Sequence, residues 1–379
     1  MRRPVNRRLP GFLVAAAFAL AVIGHSDAFA APEPSVRAEF QAAYGRYQQA
    51  IEDKNPQVAA AAAKEALDLG PSVLSDDSPS LAALYVNYGM ALVEVRRFDD
   101  AFAPLRAGIK RLEKLHGKTH ESLIDPLYTL AEAYRAGAVQ NDKGIVYLKR
   151  ILRIVERTRG KDNLLFAEIN QLLGKTMVLS NFPRNRKRAV RHLTTAYETY
   201  QRLYDRPAYK TGLAAFWLGK SRLQDGKYKA AEEHFLDALH LFEETSPPGH
   251  ELQLMAHGFL IALYEERGKS SQADAHVRTV ALLRPSEGVD GHKPLYKLAP
   301  VYPRSARVLG REGFVLVEFT VTTRGTVTNI RVLGSEGGKD IEDAALEAIK
   351  SYRYAPAIRN GEPVVTVGVR NKIIFSIAN

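Results

Sequence analysis

Gly313-Phe314-Val315-Leu316-Val317-Glu318-Phe319-Thr320-Val321 places large apolar residues at every second position after Gly313, at Val315, Val317, Phe319 and Val321, with Leu316, Glu318 and Thr320 between them. That is the period of a β-strand with one better-buried face. Thr322-Thr323-Arg324-Gly325 follows as a turn, in which Gly325 is free to take positive φ, so Thr326 to Leu333 should return as a hairpin partner. In that returning strand Val327 is out of phase with Ile330 and Val332, which predicts a bulge or a local twist. Further on, Asp340 reads as the N-cap of a helix, with Ile341, Ala344, Ala345, Ala348, Ile349 and Tyr352 as its apolar stripe and Pro356 as its stop. Val365, Val367, Val369, Ile373, Phe375 and Ile377 should then line one side of a long closing strand. The predicted order is β-β-α-β, a small α+β domain with a helix across one face of its sheet.

Marker residues fall inside these elements in order: the pair Tyr302-Pro303, Gly313 eleven residues after Tyr302, the hairpin Gly325, and the helix exit Tyr352-Arg353-Tyr354-Ala355-Pro356. Together they resemble the C-terminal domain of the TonB family, with Tyr302, Pro303, Gly313, Gly325, Tyr352, Tyr354 and Pro356 as the matching positions. In bacteria with two membranes, that family's domain reaches through the periplasm and grips outer-membrane transporters. The resemblance implies that a receptor peptide adds as a strand beside the closing strand, whose edge here is Val364, Thr366, Gly368, Arg370 and Lys372. There are departures. The family's transducers place a Gln just before the Pro-x-Tyr-Pro stretch, where this chain has Ala299 before Pro300-Val301-Tyr302-Pro303. The family's long proline-rich rod is also missing.

The N-terminal residues 1–30 read as an export signal. Arg2, Arg3, Arg7 and Arg8 precede an apolar run from Phe12 to Gly24, and Ala28-Phe29-Ala30 fits a small-x-small cleavage site. A spanning helix needs about 20 apolar residues, and this run is shorter. The alternative is an uncleaved inner-membrane anchor over residues 12–24, facing the periplasm. The Ser and His of the transducers' anchor, one helical turn apart, have no counterpart: His25 stands at the end of the run and Ala21 four residues before it.

Residues 31–285 repeat. Tyr85, Tyr88, Gly89 and Leu92 are followed by Phe98, Ala101, Leu105, Gly108 and Ile109; Trp217, Leu218 and Gly219 by Tyr228, Ala231, Phe235, Ala238 and Leu239. Further copies centre on Leu130-Ala131 and Tyr134 with Leu148 and Ile151, on Leu173-Gly174 with Ala189, Leu193 and Ala196, and on Tyr264 with Ala273. A looser first copy runs from Phe40, Tyr44, Tyr47 and Ile51 into Val58 to Leu67. Small residues where helices cross and large ones where they interlock resemble tetratricopeptide repeats. Gly89, Ala131, Gly174, Gly219 and Ile261 lie 42 to 45 residues apart, longer than the standard repeat of about 34, so each helix should gain about a turn. The expected architecture is multidomain: an all-α solenoid of five to six long helix pairs, a connection at 286–297, and the TonB-like α+β domain at 298–379.

Composition supports a folded, secreted chain, since 46% of its 379 residues are hydrophobic. With no cysteine, disulfides and thiolate chemistry are excluded. The net charge is +11; the first thirty residues hold four Arg and one Asp, so the remainder carries +8. No catalytic, metal-binding or phosphate-binding motif is present, and the carboxylate pairs Glu232-Glu233 and Glu265-Glu266 read as solvated surface. No enzyme activity, cofactor or metal is therefore expected. Arg184, Arg186, Lys187, Arg188 and Arg191 form a basic cluster, read as an expanded loop and a candidate dock for an anionic envelope component. There is no nucleic-acid recognition motif. The expected protein is a periplasmic, non-enzymatic interaction protein. Its C-terminal domain would bind an envelope partner, such as an outer-membrane receptor peptide, and its solenoid a second protein or peptide; a homodimer is a further option. The alternative is a TonB-type energy transducer for receptor-mediated transport, anchored in the inner membrane.

Overall fold

The computed structural model describes residues 33–137, 141–180, 183–285 and 294–377. The export-signal reading of residues 1–30, the 286–293 part of the connection and Asn181-Phe182 lie outside them. Twelve helices pair in sequence: α1 (Pro34–Glu52) with α2 (Pro56–Val73), α3 (Pro79–Glu94) with α4 (Phe98–His116), α5 (Ile124–Ala136) with α6 (Asn141–Arg159), α7 (Leu164–Leu179) with α8 (Pro183–Leu203), α9 (Tyr209–Gln224) with α10 (Tyr228–Thr245), and α11 (Glu251–Glu266) with α12 (Ser270–Leu283). They form a run of helical repeats. Helix starts follow local chemistry. Asn55, Ser78 and Asn163 accept the backbone N–H groups of Val58, Leu81 and Phe166, and proline occupies the first turn of α1, α2 and α3.

The chain divides into two compact units between Thr199 and Tyr200. In the first, α1 and α2 close on an aromatic–alanine seam in which Phe40, Tyr44 and Tyr47 pack with Ala59, Ala63 and Ala66. Where α3 crosses α4, a Cβ on Gly89 would stand 2.5 Å from Leu105 Cγ, and one on Gly174 in α7 would stand 2.5 Å from Leu193 Cγ in α8. In the second unit, Gly219 of α9 occupies the same role against Phe235 of α10, 2.8 Å from Cδ1. Only a bare Cα leaves room for the facing side chain at these crossings.

The second unit continues into the C-terminal domain: β1 (Pro294–Tyr296), α13 (Arg304–Val308), β2 (Gly313–Val321), β3 (Val327–Glu336), α14 (Lys339–Lys350), β4 (Arg353–Tyr354), β5 (Ala357–Arg359), β6 (Glu362–Val364) and β7 (Thr366–Phe375). The main sheet is antiparallel in the order β3-β2-β7; β1 pairs with β4 and β5 with β6. Ile341, Ala345, Ala348 and Ile349 of α14 cover one face, formed by Val315, Val317, Phe319 and Val321 with Val369, Ile373 and Phe375. The expected irregularity in β3 is a bulge, because the register slips between Glu318 and Thr320 and Asn329 takes φ 50°.

Four expectations need correction. Asp340 is not the N-cap of α14; Gly338 is, with φ 107°, because the Asp340 carboxylate is held by the Arg311 guanidinium at 2.9 and 2.6 Å. Pro356 does not stop the helix, which ends at Lys350 so that Arg353 and Tyr354 can pair with β1. The domain carries more than one sheet: Asn360 and Gly361, with φ 51° and 80°, turn a separate β5–β6 hairpin. Finally, Val365 and Val367 do not continue the buried side of β7 but are 56% and 69% exposed.

Candidate functional site

The exposure of Val365 and Val367 follows from the register. Phe319 faces Val369 and Val321 faces Thr366, so three steps of β7 oppose two of β2, and Gly368 absorbs the extra residue at φ 75°. Side chains before the bulge are thereby flipped. Thr366 turns inward, its Oγ1 buried without a partner, and the two valines turn out. β7 pairs with β2 from Thr366 to Phe375 and has no strand on its other side among the described residues. Such an edge presents a row of unpaired N–H and C=O groups. Of the five edge residues read from sequence, Thr366, Gly368, Arg370 and Lys372 lie on β7. Val364 does not: it belongs to β6, opposite Ala357.

The sheet face away from α14 is held by charge and aromatic contacts. Glu318 on the central strand accepts from Arg331 of β3 at 2.5 Å and from Arg370 of β7 at 3.2 Å, one carboxylate across three strands. Those two cations, Arg331 foremost, hold the Glu318 carboxyl below the usual carboxylate range. Lys372 Nζ lies 3.9 Å from the Phe314 ring centroid, and Ile374 beside it is 66% exposed. At the two bulges an open depression of about 450 Å³ is bordered by Glu318, Asn329, Arg331, Val367 and Gly368.

The motif residues are structural. Tyr302 donates its hydroxyl to the Arg311 carbonyl at 2.7 Å and sets its ring edge-on to Phe375, and Pro303 precedes α13 as its N-cap. Gly313 lets the β3 terminus close over it, since a Cβ there would lie 2.0 Å from the Glu336 carbonyl oxygen. Gly325, at φ 76°, accepts the Tyr354 N–H at 2.9 Å. Tyr352 and Tyr354 are buried, and burial pushes the Tyr354 hydroxyl up to about 12. Pro356 is buried as the chain leaves β4 for β5.

Sequence reasoning missed what Arg353 does. Its side chain is only 4% exposed. Nε donates to Glu265 at 2.7 Å, and one terminal nitrogen donates to Asp274 at 3.1 Å and to the Arg324 carbonyl at 3.3 Å. Asp274 also takes Arg324 at 2.6 Å, and Arg278 reaches Glu362 at 3.0 Å. Glu265 and Asp274 belong to α11 and α12, so the last repeat grips the C-terminal domain through the arginine of its own motif. The solvated reading of Glu265 is thus corrected. Adjacent carboxylates diverge around a helix, and here one member of each pair faces inward: Glu265 to Arg353, and Glu232 to the Tyr264 hydroxyl at 2.9 Å and Arg267 at 3.1 Å. Beside them, His257 and His276 share a 2.9 Å Nδ1–Nδ1 hydrogen bond, and Tyr264 stacks on His276.

The basic cluster is not an expanded loop. Arg184, Arg186, Lys187, Arg188 and Arg191 all lie on the exposed side of α8, which begins at Pro183, where proline's fixed φ suits a first helical residue. Among the described residues no group of three or more His, Asp or Glu could hold a metal ion, and no helix is long and apolar enough to cross a membrane.

Residues 299–377 match the family model of the Gram-negative bacterial TonB protein C-terminal. Over 68 residues the chain is 38% identical to Protein TonB of Vibrio cholerae serotype O1, covering 18% of this chain and 28% of that protein. The chain spans about a quarter of the length of the curated TonB proteins it matches. The solution NMR structure of the Pseudomonas aeruginosa TonB CTD is 33% identical, covering 23% of this chain and 88% of that one with a TM-score of 0.21. A tetratricopeptide repeat protein from Parabacteroides merdae is 17% identical, covering 65% of this chain and 84% of that one with a TM-score of 0.44. The chain joins a run of helical repeats to a domain that matches the TonB C-terminal family model, and that match supports a TonB-like or envelope protein-interaction role.

Proposed function

We propose that this chain is a periplasmic, non-enzymatic interaction protein whose C-terminal domain binds an envelope partner by strand addition along β7, while the repeat region docks a second protein or peptide. The observation that carries this reading is the open edge of β7 in a domain of TonB C-terminal type. A peptide laid there would take its affinity from backbone hydrogen bonds and its selectivity from side chains on alternating sides. Val367, Arg370 and Lys372, all exposed, are the side chains it would meet. The partner is proposed to be a peptide of an outer-membrane receptor.

A photo-cross-linking residue placed at Arg370 or Lys372 in intact cells should yield an adduct with an envelope protein; the same residue at exposed Lys110 of α4 should not yield that adduct. Adducts from Lys110 alone would move the interface to the repeats. The name Protein TonB, carried by several of the curated relatives, favours a second reading, an energy transducer that keeps residues 12–24 as an inner-membrane anchor. Intact mass separates the two. A mature chain beginning at Ala31 and released by osmotic shock fits the first reading, and Met1 retained in a membrane fraction fits the second.

A further inference from the structure

Strand addition makes no use of the cations of α8. Arg184, Lys187, Arg188 and Arg191 recur at i, i+3, i+4 and i+7, so they share one face of the helix, and all four are exposed. At 1.5 Å per residue the row runs about 10 Å. Lys149 of α6 lies beside it: burial first, then the Arg188 and Arg184 cations, hold its amine below its ordinary value. His192, hydrogen-bonded to Asn170 at 2.8 Å, is pushed down to about 4 by burial and then by Arg191, Lys149 and Arg188.

Two other cations of α6 are matched by carboxylates. Arg150 pairs with Glu113 at 2.5 Å and Arg159 with Glu121 at 2.9 Å. Lys149, Lys187, Arg188 and Arg191, by contrast, make no ion pair with any described residue. Three positions before Lys149, on the same side of α6, Val146 is 63% exposed. Lys149, Lys187, Arg188 and Arg191 therefore present positive charge without a carboxylate partner among the described residues, with a large apolar side chain at its margin.

We propose that this face of α6 and α8 docks on an anionic phospholipid surface. One phosphate or carboxylate would call for donors converging on a single point, whereas these charges are strung along the outside of a helix and suit a surface carrying many anions. Each Lys or Arg brought to such a surface adds about 1 kcal/mol, roughly a fivefold gain in partitioning, and an exposed Val can enter the headgroup boundary. An acidic protein face is the competing occupant.

The test is co-sedimentation of the full chain with vesicles of phosphatidylcholine alone and with one third phosphatidylglycerol, read as the ratio of the two partition constants. An apolar leader present in every variant cancels from that ratio. The wild type should favour the anionic vesicles strongly. Lys187→Gln, Arg188→Gln and Arg191→Gln combined should lower the ratio on the order of a hundredfold. A charge-matched control, Lys54→Gln, Lys110→Gln and Lys229→Gln, alters exposed cations outside the patch and should stay close to wild type. Circular dichroism melts confirm that both variants fold. Equal losses in the two triple variants, or no wild-type preference for anionic vesicles, overturn the proposal. So does patch-dependent binding of poly-glutamate without vesicle binding, which would assign the surface to an acidic protein.

Discussion

Arg353 stands between two tyrosines whose burial is easy to anticipate, but a buried guanidinium needs its own carboxylates and takes them from Glu265 and Asp274. Removing one partner of such a group leaves the others desolvated and unpaired. Arg353→Ala is therefore expected to destabilise the second unit by about 3 kcal/mol, at the low end for a buried pair because Asp274 keeps some exposure. Arg353→Lys should recover only part of that, since an ammonium cannot reach both carboxylates with a planar fork. Adding Glu265→Gln to Arg353→Ala should cost less than the sum of the two changes. Denaturant titrations of the four variants check this, and a loss below about 1 kcal/mol for Arg353→Ala would mean the junction contributes little. The partners lie 79 and 88 residues from Arg353, so no local pattern around Tyr352 and Tyr354 could have named them.

At the scale of elements, the helix pairs were legible because each repeats a spacing of small and large residues that packing requires. Gly89, Gly174 and Gly219 were readable as crossings before Leu105, Leu193 and Phe235 were seen opposite them. Gly219→Leu should overpack the α9–α10 crossing and cost on the order of 1–3 kcal/mol, spreading to adjacent helices, and thermal unfolding would show it. An unchanged melting temperature would contradict the register. The strands were less legible. A single inserted residue at Gly368 reverses the faces of Val365, Thr366 and Val367, and nothing in the alternation of valines announces it. The Asn360-Gly361 hairpin carried its usual signal, both central residues suiting positive φ.

Histidines add an element-scale expectation. Burial pushes His192 and His257 down to about 4, with the Arg191, Lys149 and Arg188 cations assisting at His192 and the neighbouring His276 ring at His257, and His234 and His276 are lowered as well. In the folded chain they stay neutral where the unfolded chain, with ordinary values near 6.5, takes up protons. The unfolded state thus binds more protons between those limits. Stability should be complete above about pH 6.5 and fall as pH drops toward 4. Melting temperature against pH checks the sign, and His192→Gln with His257→Gln should flatten the slope within that window. A stability that rises on acidification through this range would contradict the account.

For the whole molecule, three kinds of surface have separate roles in this account: carboxylates of the last repeat fix the C-terminal domain, the row on α6 and α8 meets anionic lipid, and β7 is left open for a partner. The family resemblance and the repeats were both legible from residue spacing, while the charge matching among them needed the fold. The central claim is that recognition at β7 runs through the backbone. Its most direct measurement is the envelope-protein adduct captured from Lys372, compared between proline and alanine variants. Arg370 and Asn371 are replaced in turn, because successive backbone N–H groups of a strand point to opposite sides. Proline at the position whose N–H faces outward should leave the domain folded by circular dichroism and abolish the adduct, while alanine at the same position should largely preserve it. Equal losses from proline and alanine would contradict backbone pairing in favour of side-chain recognition, and an adduct untouched by either would remove β7 as the interface.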